Sequence, residues 1–187
     1  MKKGTIILIA VIAVIAIIAF SCVGTYNSLV AQRENVDTQY SAIETQLQRR
    51  IDLIPNIVNT VKGYAAHESE VFGAVSDARA RLAGASTKEE AAEADSELTS
   101  AVSRLLMIAE NYPDLKADTQ FTALTDELAG TENRIAVARK DYNDAAKTYN
   151  TQIKTFPKVI IANLFGFEKA EYFEAAEGAK SAPQVNF

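Results

Sequence analysis

Cysteine and histidine are almost absent from this chain of 187 residues, which has one of each, Cys22 and His67. A single cysteine excludes an internal disulfide and any zinc site that needs a Cys-X-X-Cys pair. A single histidine removes most clusters of metal ligands and permits few arrangements for nucleophilic catalysis. We therefore expect no enzymatic activity, no cofactor and no bound metal.

Proline, glycine and tryptophan are also scarce, with four, eight and none in the chain. Alanine, leucine, glutamate, glutamine, lysine and arginine recur instead, and these residues favour helices. The hydrophobic fraction of 48% is ordinary for a folded domain. The composition predicts an all-α protein.

A surplus of positive charge is missing as well. The formal net charge is -5 at pH 7, and no basic face is visible along the chain. Proteins that bind nucleic acid normally present such a face to the phosphate backbone. We therefore exclude nucleic acid from the expected partners.

The longest feature that is present is an apolar run near the N-terminus. Residues 6–20 contain no polar side chain, and with Ser21 and Cys22 tolerated the run extends to residue 23. As a helix, residues 5–23 cover roughly 28 Å, close to the ~30 Å hydrocarbon core of a bilayer. We predict a transmembrane helix within a membrane anchor of residues 1–24.

Two other interpretations of this run stay open. The run fits a cleaved signal peptide, because Ala19 and Ser21 are small residues suited to a cleavage site. It also fits a lipoprotein in which Cys22 is the lipidated residue, although Phe20 is bulky for such a motif.

The side of the membrane is indicated only by a few charges. Lys2 and Lys3 precede the run, and Arg33 is the one basic residue that closely follows it. The positive-inside rule therefore favours a cytoplasmic N-terminus and an external domain.

Four helical stripes of apolar side chains follow in residues 25–156, each repeating at intervals of three and four residues. The first covers residues 26–54, and the second covers residues 57–82 and stops at Gly84. The third covers residues 98–109 and ends before Pro113, and the fourth begins near Asp118, which can cap it, and ends before Pro157. Stripes of this kind bury against one another, so we predict an antiparallel up-and-down four-helix bundle.

The segment QLQRRIDLIPNIV, residues 46–58, places a proline between the first two stripes. Proline inside a helix removes a hydrogen bond and costs about 3 kcal/mol, whereas the first turn of a helix tolerates it. Asp52 can cap a new helix, and Arg49 and Arg50 suit the negative end of the preceding one. We predict a helix corner at Arg49, Arg50, Asp52 and Pro55, and the alternative is one long helix kinked at Pro55.

The C-terminal segment, residues 157–187, differs in composition because it is rich in aromatic residues. A free, solvated tail would not be so aromatic, so this segment packs either on the bundle or on a partner. Gly166 and Gly178 allow the backbone turns that such packing needs. The candidate interaction surface consists of Phe165, Phe167, Tyr172, Phe173 and Phe187.

Two polar groups could be taken for metal sites. His67 is followed by Glu68 and Glu70, but no second histidine is available, so we predict a solvated side chain. An acidic run spreads around its helix instead of converging on one point. We predict a solvated acidic face for its members, which are Glu89, Glu90, Glu93, Asp95 and Glu97.

Four stretches of the sequence match one family in the expected order: YNSLV after the apolar run, QLQRRIDLIPNIVNTVKGYAAHE, ENYPDLKA, and the C-terminal FGFEKAEYFEAAEGAKSAPQVNF. On these stretches, which cover most of the chain, the protein resembles the LemA family. The resemblance implies a membrane-tethered, four-helix up-and-down bundle in bacteria with no settled biochemical activity. It also implies an external N-terminus and an internal domain, opposite to the charge argument, so the side of the membrane stays open.

These features predict a non-enzymatic, single-pass protein of the bacterial cell membrane that self-associates. Only Gly24 separates the anchor from the first stripe, and a stiff join would orient every copy alike and favour lateral assembly. The expected partners are membrane lipid and other copies of the chain, with another membrane protein as a further candidate. The alternative function is a monomeric adaptor or accessory subunit for a membrane protease or signalling complex.

Overall fold

The computed structural model describes residues 3–65 and 67–173, and within these ranges the chain forms six helices and no strand. The prediction of an all-α protein is confirmed. The helices are α1 (Lys3–Tyr64), α2 (Ser69–Gly84), α3 (Lys88–Ala109), α4 (Pro113–Lys116), α5 (Thr119–Lys154) and α6 (Lys158–Leu164).

The first helix, α1, is continuous for 62 residues, and Pro55 lies inside it. The predicted helix corner at Arg49, Arg50, Asp52 and Pro55 is therefore wrong. The structure has the alternative, a single long helix that passes through Pro55. The same helix also passes Gly24, so it joins the apolar run to the rest of the chain without a linker.

A side chain from α2 explains how α1 tolerates its internal proline. Pro55 lacks the N–H that would donate to the carbonyl oxygen of Ile51, one turn earlier. Nε of Arg79 donates to that carbonyl oxygen instead, over 2.9 Å. The carbonyl freed by the proline therefore keeps a hydrogen bond, as a buried backbone group requires. Ile54 and Ile57 on either side of the proline are buried, which also holds the helix in place.

The boundary between α2 and α3 agrees with the prediction that the second stripe stops at Gly84. Helix α2 ends at Gly84, and Thr87 caps α3. The Thr87 hydroxyl oxygen accepts from the Glu90 backbone N–H over 3.1 Å, and the Glu90 carboxylate accepts from the Thr87 N–H over 3.2 Å. This reciprocal capping box satisfies two N–H groups that have no partner inside the helix.

The boundary before α5 also agrees with its prediction. Pro113 occupies the first turn of the short helix α4, where its missing N–H costs nothing. Asp118 then caps α5, because its Oδ1 accepts from the backbone N–H groups of Gln120 and Phe121 over 2.7 and 3.2 Å. The other carboxylate oxygen of Asp118 accepts from the Tyr64 hydroxyl over 2.9 Å.

The chain divides into two compact units. The first unit combines the residues up to Tyr40 with Lys140–Tyr172, and the second combines Ser41–Arg139 with the residues from Phe173 onward. Both α1 and α5 contribute to each unit. The predicted boundaries at residues 24 and 156 stay predictions.

In the second unit, contacts between helices show antiparallel neighbours. Lys62, late in α1, lies over the ring of Phe72, early in α2, at 5.3 Å from its centroid, and Arg79 later in α2 reaches back to Ile51. Tyr64 at the end of α1 contacts Asp118, which caps α5, and Arg49 earlier in α1 contacts Glu127 further along α5. The fully buried side chains of this unit include Ile43, Ile54, Ile57, Val61, Val75, Leu98, Leu105, Leu115 and Ile135. The up-and-down bundle as a whole stays a prediction.

The first unit contains the apolar run. Within the part of the chain that the structure describes, α1 is the one helix that is long and apolar enough to cross a membrane, and its apolar window is entirely exposed. Beyond that window Leu29 and Val36 are buried. The rings of Tyr40 in α1 and Tyr142 in α5 pack edge to face, with centroids 6.1 Å apart.

Candidate functional site

The first candidate site is the place where the C-terminal segment turns and docks on α5 in the first unit. Helix α6 ends in a Schellman motif: Gly166 has a φ of 69°, and the N–H of Phe167 donates to the carbonyl of Ala162 over 2.9 Å. Only glycine adopts this left-handed conformation without strain. The predicted role of Gly166 in turning the backbone is confirmed, whereas Gly178 lies outside the described residues.

After this turn, residues 168–171 are held by side chains of α5 that bind the main chain. The Tyr149 hydroxyl donates to the carbonyl of Glu168 over 2.9 Å, and the Tyr142 hydroxyl donates to the carbonyl of Glu171 over 2.8 Å. The two tyrosines are seven residues apart in a helix, and the two carbonyls that they bind are three residues apart in an extended chain. Both separations are roughly 10 Å, so the two spacings match. The segment therefore runs antiparallel to α5.

Asn150 directly follows Tyr149 in α5 and pairs with both main-chain polar groups of one tail residue, Ala170. Its Nδ2 donates to the carbonyl of Ala170 and its Oδ1 accepts from the Ala170 N–H, each over 2.8 Å. An amide side chain has both a donor and an acceptor, so it can replace a neighbouring strand at this point. Asn150, Tyr142 and Tyr149 are almost fully buried. We refer to these three residues as the tail clamp.

The predicted aromatic surface is distributed over several places. The rings of Phe165 and Phe167 both contact Tyr26 of α1, with centroid distances of 4.9 and 5.6 Å. Tyr172 is exposed and lies under Lys169, with the ammonium 5.6 Å from the ring centroid.

The remaining two aromatic residues of the predicted surface are Phe173 and Phe187. Phe173 belongs to the second unit and lies under the guanidinium of Arg139, 5.5 Å from the ring centroid. Phe187 lies outside the described residues. Whether these side chains form one interaction surface stays a prediction.

The second candidate site is a cluster of charges in the second unit. Nη1 of Arg50 pairs with Asp95 over 2.8 Å and with Glu132 over 2.6 Å, and its Nη2 donates to the Thr99 hydroxyl over 3.0 Å. Nη2 of Arg139 pairs with the other oxygen of Asp95 over 2.9 Å. Both Arg50 and Asp95 are only 2% exposed. The buried Asp95 therefore binds two guanidinium groups, that of the buried Arg50 and that of the partly exposed Arg139.

Opposing effects act on the protonation of Asp95. Burial raises the pKa of its carboxyl group above the ordinary value, and the charges of Arg50 and Arg139 oppose that shift. The Nε atoms of both arginines are buried without a hydrogen-bond partner. A buried network with unsatisfied groups stabilises a fold less than well-packed apolar side chains of similar volume would.

The other residues of the predicted corner lie on the surface of the same unit. Arg49 pairs with Glu127 over 2.7 Å, and Asp52 accepts from the Gln48 side chain over 2.9 Å. Both contacts involve exposed groups and contribute little stability.

The remaining candidates show no converging ligands. Cys22 has a free thiol in the apolar run, and His67 is exposed in the turn before α2. The described residues contain no group of three side chains that could hold a metal ion. The predicted solvated acidic face is wrong for one member, Asp95, which is buried.

The roles of two groups of residues in these sites were not predicted from the sequence. The charged side chains Arg50, Asp95 and Arg139 fall on the apolar stripes of their helices, and opposite charges at such positions are a readable signal of a buried pair. Nothing in the sequence marks Asn150 as the residue that binds the tail.

Fold and contacts define this protein as an all-α chain whose N-terminal apolar helix is long enough to span a membrane and continues into the folded part. A sequence model of the LemA family matches residues 39–187. The chain belongs to the LemA family.

Several curated proteins are similar to this chain. Magnetosome protein MamQ 2 of Paramagnetospirillum magneticum is 30% identical over 175 residues, which is 80% of this chain and 64% of the relative. Magnetosome protein MamQ of Magnetospirillum gryphiswaldense is 27% identical, with 92% of this chain and 74% of the relative covered. Protein LemA of Metamycoplasma hominis is 26% identical, with 84% and 73% covered. The chain thus spans just under two thirds of the length of the first of these relatives.

Proposed function

We propose that this protein is a membrane-anchored, non-enzymatic helical protein that self-associates at the bacterial cell membrane. The anchor is the apolar run of α1, and the folded part stands at the membrane surface. The self-association is lateral, between copies that are all anchored in the same way.

The continuity of α1 is the observation that carries the proposal. The exposed apolar run and the buried residues Leu29 and Val36 belong to one helix and to one compact unit. A helix without a linker transmits the orientation of the anchor to the folded part. Copies in one membrane then present the same face at the same height, which favours ordered lateral contacts.

The partners of the buried polar groups support a non-enzymatic role. Arg50 and Arg139 both pair with the buried Asp95, and the tail clamp binds the chain's own backbone. These groups are thus engaged in holding the fold, whereas a catalytic site needs polar groups that converge on a substrate.

The exposed side of the docked tail is the surface that we assign to self-association. Tyr172 is an exposed aromatic residue there, next to charged residues of both signs, Glu168, Lys169 and Glu171. Aromatic residues are enriched where proteins meet, and mixed charges can pair with those of a second copy.

The experiment measures the assembly state of the full chain in its membrane. Membranes that contain the full chain are treated with a lysine-reactive crosslinker, and nanodisc-extracted particles are sized one by one. We expect a ladder that contains only this chain, and we expect Tyr172→Ser to shorten it. Met107→Ser is the matched control, because Met107 is also exposed but lies on α3 in the second unit.

Two results would count against self-association. Single copies in every nanodisc would contradict it. A second protein at fixed stoichiometry would support the adaptor alternative instead.

A further inference from the structure

Helix α6 is short, and it is apolar on the face that it does not bury. Ile161 and Ala162 are buried against the first unit, whereas Ile160 and Leu164, one helical turn apart on the opposite side, are 56% and 72% exposed. Phe156, just before the helix, is 77% exposed. A surface helix normally places polar residues on its outer side, so this exposed apolar face requires a cover.

The position of α6 along α1 indicates which cover is available. Tyr40 of α1 contacts Tyr142 of α5, and Tyr26 of α1 contacts Phe165 at the end of α6. From Tyr40 back to Tyr26, α1 covers roughly 21 Å, and from Tyr142 forward to its end at Lys154, α5 covers roughly 18 Å, just before Phe156. Helix α6 therefore lies beside the part of α1 at which the exposed apolar run ends.

The same level of α1 has large exposed apolar side chains of its own. Phe20 and Val23, the last members of the apolar run, are exposed, as are Phe156 and Phe165 beside α6. These side chains and the outer face of α6 belong to the same compact unit. Exposed apolar side chains are thus present both at the end of the candidate span and on α6, within one compact unit.

The charge of this region differs from that of the rest of the chain. Residues 145–167 contain three lysines, Lys147, Lys154 and Lys158, and no acidic residue, in a protein whose net charge is -5. Lys147 and Lys154 are exposed. Positive charge next to an apolar surface is the pattern of segments that lie in the interface of an anionic membrane.

We propose that α6 and Phe156 form an interfacial element that inserts its outer apolar face into the headgroup region of the membrane crossed by α1. Phe156, Ile160 and Leu164 enter the membrane, and Lys147 and Lys154 face anionic lipid headgroups. This inference rests on the membrane anchoring in the proposed function. It adds a second membrane contact, which fixes the rotation of the first unit about the axis of α1.

The test measures the depth of single side chains in a membrane. In the full chain with Cys22→Ser, a cysteine is introduced by Ile160→Cys or Leu164→Cys and labelled with an environment-sensitive fluorophore. The labelled chains are reconstituted in vesicles of phosphatidylcholine and phosphatidylglycerol that contain quencher lipids, with the quencher either near the headgroup or at the end of the acyl chain. Val137→Cys is the matched control, since Val137 is 59% exposed on α5 in the second unit.

We expect blue-shifted emission at positions 160 and 164 and several-fold stronger quenching by the shallow quencher than at position 137. Helicity measured by circular dichroism should be unchanged by the labels, because both side chains are exposed. Emission at positions 160 and 164 that matches position 137 would overturn the proposal.

A second copy could cover the same face, and the experiment separates this case. In that case the emission would be blue-shifted but no quencher lipid would reduce it, and cysteines at position 160 of two copies would crosslink. These results would show that protein covers the face, and they would also overturn the proposal. The anchoring itself is checked in the same samples by extraction at alkaline pH. A chain that stays in the membrane but shows aqueous emission at position 160 refutes the interfacial element alone, whereas a chain that is released refutes the proposed function.

Discussion

The guanidinium of Arg79 donates a hydrogen bond to the carbonyl oxygen of Ile51, and this is the carbonyl that Pro55 leaves without its helical partner. The contact joins α2 to α1 at the position where the sequence suggests a break. It explains why α1 continues for 62 residues. The tolerance of a proline in this helix is therefore a tertiary effect.

Removing this donor should destabilise the chain only while the proline is present. We expect Arg79→Met to lower the free energy of unfolding by about 1–3 kcal/mol, because the carbonyl of Ile51 loses the donor that Arg79 supplies. In a Pro55→Ala background the alanine N–H serves the same carbonyl, so the loss should be clearly smaller. Urea denaturation of the four chains in detergent, followed by circular dichroism, gives the coupling energy.

A matched control for that cycle is Arg81→Met. Arg81 lies two residues further along α2 and pairs with Glu97 over 2.8 Å at the surface. An exposed pair of this kind contributes only ~0.2–1 kcal/mol, with no dependence on residue 55. Equal losses for Arg79→Met with and without the proline would refute the explanation.

Asp95 should be the most sensitive position in the second unit. Its replacement by alanine leaves the buried guanidinium of Arg50 without its main counter-charge, and removal of one partner from a buried pair costs about 3–5 kcal/mol. Replacing the whole group with Arg50→Met, Asp95→Leu and Arg139→Met should cost far less, or even stabilise the chain. Glu132→Gln is the control, because that carboxylate is half exposed. A triple variant as unstable as Asp95→Ala would contradict this account.

The pattern of apolar residues was sufficient for the class of fold, and single residues marked several helix ends. Gly84, Thr87 and Asp118 mark boundaries in the sequence because glycine and capping side chains act through their immediate neighbours. Pro55 misled the prediction for the opposite reason. Its compensating donor, Arg79, comes from another helix, and no local rule contains that information.

The charged residues show a second limit of local reasoning. Arg50 lies three residues after Leu47 and four before Ile54, so it falls on the buried stripe, and Asp95 falls in the same way between Ala91 and Leu98. The helical period therefore indicates that these charges are buried. It does not indicate which charges pair, because that depends on how three helices pack.

The contact between Tyr64 and Asp118 predicts opposite responses at the two ends of the pH range. Hydrogen bonds from the Phe121 N–H and the Tyr64 hydroxyl lower the pKa of Asp118 below 3.8, so its stabilising contribution is present above that pH and is lost as the pH falls through the lowered value. The hydrogen bond to Asp118 raises the pKa of Tyr64 above 10.0, so its contribution is present below that pH and is lost as the pH rises through the raised value.

Two variants separate these effects. The difference in melting temperature between the natural chain and Asp118→Asn should shrink in acid, and the difference from Tyr64→Phe should shrink in alkali. Asp114→Asn is a control, because Asp114 lies in the first turn of α4 and does not cap α5. Differences that stay constant over the whole pH range would exclude this linkage.

Gly166 should resist substitution although there is space for a side chain. A Cβ at this position meets no atom within 4 Å, so any cost comes from the backbone conformation alone. For Gly166→Ala we expect about 1–2 kcal/mol of strain, relieved by release of residues 168–171 from α5. Hydrogen exchange of the Ala170 amide should then accelerate. Gly73→Ala is the control, since this helical glycine is equally open and alanine favours the helix by ~0.5–1 kcal/mol.

The final prediction concerns the two hydrogen bonds between Asn150 and Ala170. Asn150→Leu keeps the volume of the side chain but leaves the N–H and the carbonyl of Ala170 without partners, at a cost of about 1–3 kcal/mol for each group that stays buried. Asn150→Asp should be worse at neutral pH, because an ionised carboxylate accepts from the N–H but repels the carbonyl oxygen. Lowering the pH should restore the contact in the aspartate variant alone, since a protonated carboxyl again has one donor and one acceptor. The measurement is protease cleavage after Lys169, which requires release of the tail from α5. Cleavage of Asn150→Asp that does not slow in acid, relative to Asn150→Leu under the same conditions, would show that the paired amide is not what holds the tail.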